Sequence, residues 1–154
     1  MYLLAMLATA YYLYRLRGHE TWWFLAWPGT VVHEASHYLV GKLTNGEPFD
    51  FNVAPDASVN GKRQLGSVSF RNITWFNAAP IGFAPVLCVL AAWWLLHVHT
   101  GSLLGNGAMI VLASSVLSGC FPSSADIKIA TRYASGLIFW ITVIVLFFHY
   151  KGIV

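Results

Sequence analysis

His33-Glu34-Ala35-Ser36-His37 sets two imidazoles four residues apart, with a carboxylate directly after the first. On a helix, positions i and i+4 lie on one face, so both rings can turn toward a single ion. This His-Glu-x-x-His spacing is a common protein arrangement for zinc. Glu34, offset by one residue, can reach a water at the metal without being a ligand. Zinc lowers the pKa of such a water to about 7, and a carboxylate beside it can take the proton during attack on a carbonyl. The plain alternative is a helix surface on which three polar side chains solvate one another. The surroundings argue against it. Thr30 to Val40 is otherwise apolar, and ionisable groups in a lipid-embedded helix are expensive and mark function by default.

A catalytic zinc usually takes three protein ligands and keeps one position open. The six acidic residues are Glu20, Glu34, Glu47, Asp50, Asp56 and Asp126. Glu20 precedes the motif helix, and Glu47, Asp50 and Asp56 fall in a strand-like region. Asp126 follows a break at Pro122 in a segment that can fold back toward the motif. It is the candidate third ligand. Two other roles stay open for it: a carboxylate capping the start of a helix after Ser123 or Ser124, and an ion pair with Lys128. His97 and His99 read as an interfacial pair rather than ligands.

The elements that must position these groups are membrane elements by composition. Of 154 residues, 57% are hydrophobic and 10% charged, and the mean hydropathy is +0.61. Several apolar stretches approach the roughly 20 residues that span a bilayer. We expect a single membrane-embedded domain over residues 1–154: an all-α polytopic bundle of about five transmembrane helices. Its core covers 22–132. The first helix runs from Met1 to Tyr14, the second from Thr21 to about Leu43, with Pro28-Gly29 loosening it one turn before His33. Trp75 to His99 contains the third, Leu103 to Gly119 is the fourth, and Tyr133 to Tyr150 is the last.

Residues 44–74 differ. Phe49 to Val53 and Leu65 to Phe70 each alternate apolar and polar residues, which predicts a small β-hairpin joined through Asn60-Gly61-Lys62-Arg63. It reads either as an ordinary extramembrane hairpin or as an edge that captures an extended substrate by strand addition. Cys88 and Cys120 lie in apolar segments and read as core or lipid-facing thiols, with no disulfide framework. The net charge of +3 sits in loops and carries topology information, not a nucleic-acid footprint.

With its His33-Glu34-x-x-His37 helix, strand-bearing loop, two further spans and Asp126 after a Pro-containing break, the chain resembles the site-2 protease family of intramembrane zinc metalloproteases. The likeness covers about Trp22 to Arg132. It implies zinc held by His33, His37 and Asp126, water activated by Glu34, and a substrate that is a transmembrane segment cut near the membrane boundary. The family's third-ligand motif carries Asn-x-x-Pro upstream of the Asp and Gly after it. Here the Asn is absent, Pro122 stands four residues before Asp126, and Ile127 follows it.

The expected function is therefore a zinc-dependent intramembrane endopeptidase acting on a membrane protein within the lipid bilayer. Asn77, Ser123 and Ser124 are candidate oxyanion or substrate contacts from their polarity. The alternative is a non-proteolytic membrane component whose structural or vestigial metal site serves to regulate a partner. Arg15, Arg17 and Lys151 fall on one side of five spans, and Lys42, Lys62, Arg63, Arg71, Lys128 and Arg132 on the other. The positive-inside rule makes the second side cytoplasmic. That places the N-terminus and the metal motif in the cytoplasmic half of a multi-pass cell-membrane protein.

Overall fold

The computed structural model describes residues 2–15, 22–54, 56–59, 62–64, 66–98 and 100–153. Its elements in chain order are α1 (Tyr2–Arg15), α2 (Trp22–Leu43), β1 (Pro48–Asn52), β2 (Asp56–Val59), β3 (Lys62–Gln64), β4 (Ser67–Phe70) and α3 (Ala78–Gly82). A one-turn 3-10 helix (Ala84–Leu87), α4 (Cys88–Leu96), α5 (Leu103–Ser118), α6 (Ser124–Ala130) and α7 (Ala134–Tyr150) follow.

The apolar α5 is the hub, with α1, α2 and α4 packed around it, while α3 lies against α6. Met6, Cys88, Ala92, Ala113, Val116 and Cys120 form the buried core between these helices. Both cysteines are free. Small residues let α2 and α5 touch through their backbones. A Cβ on Gly29 would overlap the Ser115 carbonyl, and one on Gly119 would lie 2.7 Å from the Gly29 carbonyl oxygen. α2 runs through Pro28 without ending, and the Gly29 N–H donates to Ser115 Oγ at 3.1 Å.

The expected third helix is not continuous. Pro80 is tolerated within the first turn of α3, but Pro85 cannot extend the helix, and the chain passes through the 3-10 turn before α4. Asn77 braces this break. It is fully buried, its Oδ1 accepts from the Thr74 N–H at 2.7 Å, and its Nδ2 donates to the Thr44 and Asn72 carbonyls at 3.2 and 2.9 Å.

The strand region is two nested pairs rather than one hairpin. β1 pairs antiparallel with β4, Pro48 opposite Phe70 and Asn52 opposite Ser67, and β2 pairs with β3. The register shifts between Phe49 and Asn52, where Asp50 takes a positive φ of 53°. That bulge bends the ribbon along α2. Trp27 Nε1 donates to the Val53 carbonyl at 3.0 Å, and the Tyr38 and Phe51 rings meet edge to face.

Beside the apolar core, several polar groups are buried and many large apolar side chains are exposed. Glu34, Ser36, His37, Asn77, Ser114, Ser115 and Asp126 are buried, whereas Leu103, Leu104 and Ile138 are 91%, 87% and 64% exposed. Along α7, Gly136 alone is buried among the described residues. No single helix among the described residues is long and apolar enough to cross a membrane. α6 and α7 reach that length and composition together across an 87° bend, and α1, α4 with its preceding 3-10 turn, and α5 are shorter apolar helices. α2 has 22 residues, but His33, Glu34, His37 and Lys42 interrupt its apolar run.

Candidate metal centre

His33 and His37 project from the middle of α2 into the angle between α3, α5 and α6. The His33 Nδ1–H donates to the Gly119 carbonyl at 2.6 Å, just past the end of α5. The His37 Nδ1–H donates to the Ile81 carbonyl at 2.8 Å, in α3. A carbonyl can only accept, so these bonds put the ring proton on Nδ1 and leave the Nε2 lone pair of each neutral ring facing inward.

The two Nε2 atoms are 3.2 Å apart. Asp126 completes the triangle: its Oδ2 is 3.4 Å from His33 Nε2 and its Oδ1 is 3.1 Å from His37 Nε2. Two imidazole nitrogens and the two oxygens of one carboxylate thus converge in a largely buried space. A single proton bridges one pair of these groups and leaves the third facing a lone pair, whereas a divalent cation satisfies all three groups. Atoms about 2.0–2.1 Å from a tetrahedral zinc lie about 3.3–3.4 Å from one another, close to the 3.2 Å between the two imidazole nitrogens. The donor set, two imidazoles and a carboxylate, suits zinc.

Asp126 reaches the cluster from the first turn of α6 because a capping box holds it there. Ser123 Oγ accepts the Asp126 N–H at 3.2 Å, and the Ser123 N–H donates back to Asp126 Oδ2. Cap and cluster roles, which read as alternatives in the sequence, therefore coexist in one side chain. Lys128 is exposed, and the ionic partners of Asp126 among the described residues are the two histidines.

Glu34 sits one position after His33 and is 8% exposed. Gly66, just before β4, packs on it so closely that a Cβ there would lie 2.8 Å from Glu34 Cγ. The sheet therefore passes directly beside the carboxylate.

The remaining candidates do not join the cluster in the same way. Both amide hydrogens of Asn77 go to backbone carbonyls, so it is a brace of the α2 and α3 junction and not a free donor to an oxyanion. Ser123 lies next to the cluster as the α6 cap, and Ser124 is exposed at the first position of α6. His97 donates through Nδ1 to the Trp93 carbonyl, away from the centre, and His99 lies outside the described residues. Ile81, Gly119 and Ser115 are the contributors that sequence reading misses. Two act through backbone carbonyls, which carry no residue identity, and the sole signal for them is their place at helix ends near prolines. Comparison of the chain with family models, curated proteins and solved structures finds no match.

Proposed function

We propose that the chain is a zinc-dependent endopeptidase of the membrane, cutting a transmembrane or membrane-proximal segment of another membrane protein. The observation that carries this is the convergence of His33 Nε2, His37 Nε2 and the Asp126 carboxylate, with Glu34 buried beside them on the same helix. The membrane setting draws its support from the many large apolar side chains left exposed along α1, α4 and α7 and from the ionisable groups buried among the helices.

His33, His37 and Asp126 would hold the ion. Zinc in such a site polarises a scissile carbonyl and makes water a nucleophile near neutral pH. Glu34 takes the proton from the attacking water and hands it to the departing amine. Gly66, just before β4, packs on the Glu34 side chain, so an extended peptide added alongside this sheet would lie near Glu34. Three converging donors among the described residues leave one position of a tetrahedral site for substrate or water, which favours the enzyme over a closed structural site.

The test is metal analysis of the purified protein in detergent together with cleavage of a co-expressed membrane substrate. We expect one zinc per chain, and cleavage that stops on chelation and resumes on adding zinc. Cleavage that continues at full rate in metal-free protein sinks the proposal.

A further inference from the structure

We infer that Pro85 and Pro122 are positioning residues, each denying a backbone carbonyl one of its regular helical donors so that the carbonyl orients one histidine of the centre; this rests on the metal-site reading above. In an α-helix the carbonyl of residue i is closed by the N–H of residue i+4, and in a 3-10 turn by that of i+3. Residue i+4 from Ile81 is Pro85, which has no N–H. The Ile81 carbonyl, toward which the Phe83 N–H also turns, accepts the His37 Nδ1–H at 2.8 Å.

The same device recurs on the other ring. Residue i+3 from Gly119 is Pro122, again without an N–H, and residue i+4 is Ser123, whose N–H is turned to Asp126. The Gly119 carbonyl accepts the His33 Nδ1–H at 2.6 Å. Both rings are thereby fixed in the tautomer that presents Nε2, and both acceptors belong to helix ends that proline terminates. Such outer partners set the direction and basicity of a ligand, and losing one typically weakens metal binding about 10–100-fold.

The consequence separates positioning from folding. Pro85→Ala supplies an N–H that competes for the Ile81 carbonyl, and it permits a straighter helix from α3 into α4. It should therefore weaken zinc binding at least about tenfold, while the metal-free thermal midpoint reports separately on the packing lost with the fully buried Pro85 ring. Pro122→Ala should do the same through His33. Zinc affinity is read by chelator competition on each purified variant, and the metal-free midpoint by unfolding in detergent. Ring protonation is read by nitrogen NMR of histidine-labelled wild-type protein loaded with zinc, so a variant that fails to fold does not stop the test. Nδ1-protonated rings at both histidines are expected. Rings protonated at Nε2, or a folded Pro85→Ala that binds zinc as tightly as wild type, overturn the assignment of the prolines. Wild-type protein that takes up no zinc overturns the metal reading itself, so the two failures are distinguishable.

Discussion

Ser123 and Asp126 are bonded to each other twice, and the return bond grips the carboxylate that faces both histidines. Helix capping and ligand orientation are therefore one structural event. Ser123→Ala removes the hydroxyl that accepts the Asp126 N–H. It should cost about 0.5–2 kcal/mol of stability in detergent unfolding and loosen zinc about tenfold by chelator competition. Asp126→Asn retains an oxygen for the Ser123 N–H but lacks the charge. It should stay close to wild type in the metal-free midpoint and lose zinc. Wild-type zinc affinity in a folded Asp126→Asn removes Asp126 from the ligand set.

Glu34 is held differently, by packing against Gly66 instead of by a cap. Glu34→Gln preserves shape but cannot accept a proton from water. We expect full zinc stoichiometry and a turnover lowered at least about 10²–10⁴-fold, the usual contribution of a positioned base. Gly66→Ala forces its new methyl into the Glu34 side chain, so it should lower kcat with zinc still bound. Assaying both variants against one membrane substrate separates loss of the base from loss of the metal. Glu34→Gln cleaving at the wild-type rate rules out the proteolytic mechanism.

The i, i+4 pair on α2 is legible in the sequence because helical spacing is a local property, and Asp126 stands out because acidic residues are so few. The orientation of the rings is not legible, since it depends on carbonyls of Ile81 and Gly119 brought in from distant helix ends. The middle of the strand loop is hidden for another reason. Ala54 to Asn60 lacks period-two alternation, yet Asp56–Val59 pairs with Lys62–Gln64, with a register shift of its own between Asp56 and Val59.

Asn77 shows how polarity near a site misleads. Its position beside two helix breaks suggests chemistry, but its amide joins Thr44, Asn72 and Thr74. Asn77→Ala leaves those partly buried backbone groups without their partner. Each such group costs about 1–3 kcal/mol. A fall in the thermal midpoint, with one zinc per folded chain retained, is the expected result. A full midpoint with lost turnover would return Asn77 to the list of substrate contacts.

Orientation in the bilayer supplies the last prediction. Arg71 follows β4 with its guanidinium over the Phe49 ring, and Arg132 lies over Tyr133, whose hydroxyl donates to the Ile73 carbonyl. These contacts tie two of the basic positions to one end of the molecule. Lys151 lies beyond α7, whose 17 residues extend about 25 Å at 1.5 Å per residue, close to the roughly 30 Å of a hydrocarbon core. α6 and α7 meet at an 87° bend, and the charge distribution puts Lys151 on the face opposite Arg71 and Arg132 if α7 crosses. Native Cys88 and Cys120 are buried, so a cysteine introduced at Arg71, Arg132 or Lys151 is read over a low background. An impermeant maleimide on inverted and right-side-out vesicles should reach Arg71→Cys and Arg132→Cys from the cytoplasmic face and Lys151→Cys from the other. Labelling of Arg71→Cys only from outside reverses the orientation, and labelling of Arg71→Cys and Lys151→Cys from the same face means that α7 does not cross.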